Sequence, residues 1–221
     1  MFFNSGPQVE KFIDREEAGF LLGERLKDAG IGKEALVIGI LRGGVVVAYH
    51  AARILRCPLH ILSIRKLVSP HNAELAIGAV GSRGRPFFDQ DLIDSLSVSE
   101  DYLREEVEVK REEARERQTF FGLNGDFLDN IRSKITVIID DGVATGATAT
   151  VAAKIVREKK PDKLILAIPI ISLKRMEELQ KFFDKIIALK TPEDFTAVGQ
   201  FYRNFTPVPD EQIKRLLRDE S

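Results

Sequence analysis

The segment Val137-Ile-Ile-Asp140-Asp141-Gly142-Val143-Ala144-Thr145-Gly146-Ala147-Thr148 holds the densest chemistry of this sequence. An apolar run ends in two adjacent carboxylates. A short loop of small residues follows, and hydroxyls and a glycine stand at what reads as the first turn of a helix. A helix start offers backbone N–H groups without intrahelical partners and the positive end of the helix dipole, so it suits a phosphate. Thr145 and Thr148 add hydroxyl donors. Asp140 and Asp141 would repel that phosphate, so they make sense facing neutral hydroxyls or a cation. A sugar phosphate meets both demands. A nucleotide-binding loop of the G-x-x-x-x-G-K-[ST] type is absent from the chain.

Two further clusters are basic. Arg42-Gly43-Gly44 follows the apolar run Ala35–Ile40; its glycines permit close backbone approach and Arg42 brings charge. Arg65-Lys66 ends the alternating stretch Leu59-His-Ile-Leu-Ser-Ile-Arg65.

These groups need a scaffold to bring them together. Apolar runs at Leu36–Ile40, Leu59–Arg65, Ile135–Asp140, Lys163–Ile170 and Lys185–Leu189 read as strands, most of them buried on both faces. Helical spacing appears between them: Asp14 to Ala29, capped by Asp14 and stopped by Gly30; Val45 to Leu55; Gly146 to Glu158; and Ser172 to Phe182. Buried strands alternating with helices imply an α/β fold, a five-stranded mostly parallel sheet flanked by helices. A last helix is expected near Asp210–Arg218. Lys66 to Leu96, with Pro70, Gly78, Gly81, Gly84 and Pro86, reads as a long mobile loop with at most a short hairpin around Ala76–Val80 and Pro86–Phe88. Ser97 opens a charged helix to about Phe120 with a thin stripe of Leu103, Val107 and Ala114 and the expected pairs Glu100–Arg104, Glu106–Lys110 and Glu113–Arg117.

The segment Val137–Thr148 resembles, without a gap, the signature of the type I phosphoribosyltransferases: a hydrophobic strand, two acids and a Thr-Gly-x-Thr turn. The resemblance covers roughly Leu36 to Leu189, and Lys66–Glu74 with the long charged helix points to a branch whose acceptor is unassigned. It implies transfer of phosphoribose from phosphoribosyl pyrophosphate (PRPP) to a nitrogen acceptor, a nucleobase by expectation, with release of pyrophosphate. That is pentosyl transfer, a glycosyltransferase activity of nucleotide salvage and nucleoside metabolism. Asp140 and Asp141 would hold the ribose hydroxyls, and Gly142, Val143, Ala144, Thr145, Gly146, Ala147 and Thr148 would form the phosphate turn. Arg42, Gly43, Gly44, Arg65 and Lys66 would serve the pyrophosphate, with a cis peptide expected at Leu41–Arg42. Mg²⁺ would be held mainly by PRPP, and through water by Asp140 and Asp141. Asp194, Phe195, Phe201 and Tyr202, with Glu193 nearby, would form a hood over the acceptor, joined by the N-terminal Phe2, Phe3 and Phe12. Ala144 stands where the hypoxanthine-guanine enzymes carry an acid, which argues against those two bases. The alternative is a PRPP-responsive regulatory protein with little turnover.

The 221 residues suit one domain: a core about 14–65 and 131–190, an insertion about 66–122 and a hood about 191–209 with the N-terminus. A net charge of −1 argues against a broad nucleic-acid-binding surface. Cys57 alone makes no disulfide framework, and three scattered histidines make no metal cluster. Met1–Glu10 lacks a leader pattern and no apolar run is long enough to span a membrane, so a cytoplasmic protein is expected, as a homo-oligomer and by expectation a dimer.

Overall fold

The computed structural model describes residues 10–122 and 127–218. Asp14 accepts from the Glu16 and Glu17 amides and opens α1 (Arg15–Asp28), which ends before Gly30 at φ +82°. The chain continues through β1 (Leu36–Ile40), α2 (Gly43–Leu55) and β2 (Leu59–Leu62). β3 (Ile64–Ser69), β4 (Asn72–Gly81), β5 (Phe87–Phe88), α3 (Gln90–Ser95) and α4 (Glu100–Phe120) follow. β6 (Ile135–Ile139), α5 (Ala147–Arg157), β7 (Lys163–Ile170), α6 (Leu173–Leu179), β8 (Lys185–Lys190) and α7 (Asp210–Arg218) complete it.

β2-β1-β6-β7-β8 form a five-stranded sheet in that order, every pair parallel. Alternate residues along each strand serve opposite faces. Ile38, Ile138, Leu164 and Leu166 pack with Ala152, Ile155 and Val156 of α5. Val37, Val137, Ile139 and Ile165 pack with Leu22 and Leu26 of α1 and Val47, Ala51 and Leu55 of α2. Winding reverses between the neighbours β1 and β6, and a crevice at the carboxyl ends of strands opens where it reverses.

Two expectations are corrected. Leu59–Arg65 is not one strand: the chain leaves the parallel sheet after Leu62, and Ile64 begins a second, antiparallel sheet of order β3-β4-β5. Lys66–Leu96 is therefore not a bare loop. Gly78 pairs with Phe88 and Ala79 with Phe87, as the short hairpin required, but the longer pairing is β3 with β4. Leu67, Ile77, Val80 and Ile93 form a core of their own with Val107 of α4. Glycines and alanines interrupt this apolar face, which is why the stretch reads as a mobile loop in the sequence.

α4 is capped by Ser99 rather than Ser97, which adopts φ +51°. Its charged side chains choose other partners than the i,i+4 ones expected. Arg104 meets Asp101 at 2.7 Å, Lys110 meets Glu113 at 2.5 Å, and Glu106 accepts from the Val68 amide. Arg117 reaches Asp210 at the start of α7 through two bonds of 2.8 and 2.5 Å. No helix among the described residues is long and apolar enough to cross a membrane.

Candidate functional site

β6 delivers Asp140 and Asp141 to the crevice, and β1 delivers the Leu41–Gly44 loop beside them. The loop and the acids nearly touch. A Cβ on Gly43 would lie 1.9 Å from Asp141 Oδ2, and one on Gly44 would lie 2.8 Å from Asp140 Cα and from the Ile139 carbonyl oxygen. Only glycines allow this approach. The Leu41–Arg42 peptide bond is cis, as the resemblance implied.

A cavity of about 200 Å³ opens here, lined by Lys66, Asp140, Asp141, Gly142, Val143, Ala144, Thr145, Gly146, Thr148, Ala149 and Val198. Residues separated by more than 70 positions, Lys66 and the Asp140–Thr148 turn, thus meet as the sequence suggested. Gly146 caps α5 at φ +83°, a conformation that costs other residues roughly 1–2 kcal/mol.

The helix starts differ in their caps. α1, α3, α4 and α6 are capped by the side chains of Asp14, Asp89, Ser99 and Ser172. α2 and α5, which start at the carboxyl ends of β1 and β6, have no side-chain cap. The Ala147 amide donates to Thr145 Oγ1 at 3.4 Å, a long contact. The start of α5 lines the cavity and presents N–H groups and a positive dipole end that no capping side chain takes up; the start of α2 abuts Asp140 and Asp141, but neither Gly43 nor Gly44 lines the cavity.

The acids are not equivalent. Asp140 Oδ1 accepts from the Asp141 amide at 2.9 Å. Burial first, and then the Asp141 charge, push the Asp140 carboxyl well above the ordinary carboxylate range. Burial also pushes Asp141 up, but Arg15 opposes it: Arg15 Nε donates to Asp141 Oδ2 at 2.7 Å. Arg15 is a site residue that sequence reasoning missed. It stands 126 positions from its partner, and no local pattern marks it.

Other expected site residues lie elsewhere. Arg65 does not line the cavity; neighbouring residues of a strand face opposite ways, so Lys66 turns to the cavity while Arg65 pairs with Glu113 of α4 at 3.6 Å. Arg42 reaches toward Asp210, 3.9 Å away, and its side chain is not among those lining the cavity. In the expected hood, Phe201 and Tyr202 are 5% and 3% exposed and pack with Phe12 and Ile170, so they cannot stack on a ligand. The Tyr202 hydroxyl instead donates to the Asp141 backbone oxygen at 2.6 Å. Phe195 stacks on Phe201 with ring centres 5.5 Å apart and stays half-buried, while Asp194 is exposed. Phe2 and Phe3 lie outside the described residues.

Comparison with known proteins adds a family. The model of the phosphoribosyl transferase domain matches residues 15–206. In each of two Mycobacterium tuberculosis strains, CDC 1551 / Oshkosh and ATCC 25618 / H37Rv, a protein named "Putative phosphoribosyl transferase" is 36% identical over 214 residues, 95% of this chain and 47% of the relative. The chain thus spans about half the length of the curated relatives it matches. The crystal structure of TT1426 from Thermus thermophilus superposes with a TM-score of 0.74 at 34% identity, covering 96% of this chain and 99% of that one.

Proposed function

Since this chain belongs to the phosphoribosyl transferase family, we propose that its cavity binds PRPP and moves the phosphoribosyl group to a nitrogen of a small acceptor, releasing pyrophosphate. The observation that carries the reading is the cavity that brings two carboxylates, the uncapped start of α5 and Lys66 together, with the uncapped start of α2 against the acids. PRPP has the complementary layout: a phosphate at each end and hydroxyls in the middle.

The roles follow from placement. The start of α5 and Thr145 take the 5′-phosphate, Asp140 and Asp141 the ribose hydroxyls, and Gly43, Gly44 and Lys66 the pyrophosphate. The bond from the anomeric carbon to pyrophosphate breaks, a carbon–nitrogen bond forms, and the acceptor nitrogen sheds a proton. Positive charge grows on the sugar and negative charge on the leaving group. Carboxylates at the ribose hydroxyls and amides beside the pyrophosphate stabilise both without rearranging. Mg²⁺ fits the donor set: two carboxylates are hard oxygen ligands but an incomplete shell for a six-coordinate ion, so phosphate oxygens and waters would fill it. Once bound, the ion would neutralise phosphate charge. A nucleobase acceptor, within nucleotide salvage, is supported by the apolar Val198 on the cavity wall.

One observation favours a second reading. Arg42 leans to Asp210 rather than into the cavity, as expected of a protein that binds PRPP and turns it over little. Pyrophosphate release with PRPP and Mg²⁺ across a panel of bases separates the two. Release with at least one base is the expected result. PRPP binding without release favours the regulatory reading, and no PRPP binding overturns both.

A further inference from the structure

We infer that Arg15 is a positioning residue that holds the Asp141 carboxylate in place for the sugar hydroxyls of the donor. The inference deepens the PRPP reading of the cavity and rests on it.

Three contacts fix the Arg15 guanidinium. Nε donates to Asp141 Oδ2 at 2.7 Å, one terminal nitrogen donates to the Thr206 carbonyl at 2.9 Å, and the plane lies over the Phe205 ring, 3.8 Å from its centre. The Arg15 and Asp141 side chains are only 11% and 16% exposed. An arginine held on three sides presents a rigid fork, unlike a surface lysine. The hydrogen bond engages Oδ2 of the carboxylate.

The terminal segments are built around this contact. Phe12 donates its amide to the Phe201 carbonyl, and Arg203 and Asn204 donate theirs to the carbonyls of Phe12 and Ile13, at 2.8–2.9 Å. This short ladder ties the entry to α1 to the segment that carries Phe205 and Thr206. The aromatic tail is thus a frame for Arg15 as well as a cover on the sheet. Gly43 belongs to the same arrangement: a Cβ there would also approach Arg15 Nε to 2.8 Å.

The contact also sets the charge of the cavity. The groups facing Asp141 are Asp140, Arg15, the Tyr202 hydroxyl on its backbone oxygen, and Lys66 across the cavity. Two adjacent carboxylates beside a phosphate turn would repel a polyanionic donor. Arg15, which does not line that cavity, offsets one of those charges and favours the ionised form of Asp141 that burial disfavours.

The test compares wild type, Arg15→Gln and Arg15→Lys. A crystal structure of ligand-free Arg15→Gln should show the Asp141 carboxylate turned from its wild-type position, with Arg15→Lys nearer to wild type, because lysine restores charge without the fork. Calorimetry with Mg²⁺ should show Arg15→Gln losing about tenfold or more in PRPP affinity, while affinity for inorganic pyrophosphate, which has no ribose hydroxyls, stays within about twofold. Phe205→Leu keeps the arginine, removes its platform and should weaken PRPP binding in the same direction by less. An Asp141 carboxylate that stays in place in Arg15→Gln, or an equal loss for PRPP and pyrophosphate, overturns the inference. If wild type binds no PRPP while the Asp141 carboxylate moves as expected, the PRPP reading fails and takes the role in holding the donor with it, leaving only the ion pair.

Discussion

Gly43 and Gly44 are neighbours in sequence, yet alanine at each should fail differently. A Cβ on Gly44 would meet Asp140 Cα, Asp140 Oδ1 and the Ile139 carbonyl oxygen, each at 2.8 Å. Two of these are backbone atoms at the end of a central strand, so β6 and the start of α2 must separate. Overpacking of this kind costs roughly 1–3 kcal/mol, and with immobile neighbours Gly44→Ala belongs near the top of that range. At about 2–4 °C per kcal/mol for a chain of this size, a cost of about 2–3 kcal/mol lowers Tm by roughly 4–12 °C. A Cβ on Gly43 would strike the ends of two side chains, Asp141 Oδ2 at 1.9 Å and Arg15 Nε at 2.8 Å. These can swing aside, so the fold suffers less, but the carboxylate leaves its position. Loss of its charge-assisted hydrogen bond to a ribose hydroxyl costs about 1.5–3 kcal/mol, or roughly 10–150-fold in PRPP affinity. Thermal denaturation and calorimetry on both variants check the contrast. If Gly43→Ala binds PRPP as wild type does, or if the two variants fall equally in stability and affinity, the reasoning about this contact is refuted.

Other outcomes follow from the same geometry. Gly146→Ala forces alanine into φ +83° and should cost roughly 1–2 kcal/mol in stability, with weaker binding of ribose 5-phosphate; an unchanged denaturation midpoint would count against the turn. Lys66→Ala should weaken pyrophosphate binding about tenfold at unchanged stability, whereas Arg65→Ala, removing an ion pair worth about 0–1 kcal/mol, should leave binding alone; equal effects on binding would contradict the division of the two residues between faces. Burial and Asp141 raise the Asp140 carboxyl above its unfolded value, so the native state holds this proton more tightly than the unfolded chain does. Its contribution favours folding below about pH 3.9 and is lost as pH rises through the raised value. Asp140→Asn should therefore be more stable than wild type near neutral pH and show a flatter profile in urea denaturation; an Asn variant less stable at pH 7 would refute the assignment.

The parts of the fold and site that the sequence displays are those written in contiguous residues. The apolar runs at Leu36–Ile40 and, broken only by Thr136, at Ile135–Ile139 belong to buried parallel strands, and the acids, turn and helix start from Asp140 to Thr148 lie in one stretch. Legibility ends where a feature depends on distant partners. The apolar face of β4 alternates through alanine and glycine, so Ile77 and Val80 stand out only when Val107 of α4 covers them. The break at Ser63, buried at 2%, between two sheets leaves no mark in an alternating stretch. Phe201 and Tyr202 look like ligand-stacking residues until Phe12 packs on them. Arg15 looks like any first-turn arginine, because the Thr206 carbonyl that helps orient it lies 191 residues later.

The most direct measurement of the central claim is calorimetry of PRPP with Mg²⁺ on wild type and on the Asp140→Asn, Asp141→Asn double variant. Wild type should bind. The double variant should stay folded and lose about 3 kcal/mol or more, at roughly 1.5–3 kcal/mol for each charge-assisted hydrogen bond, which is about 150-fold in affinity. A folded double variant that binds PRPP as tightly as wild type would show that these acids do not hold the ribose and would contradict the account.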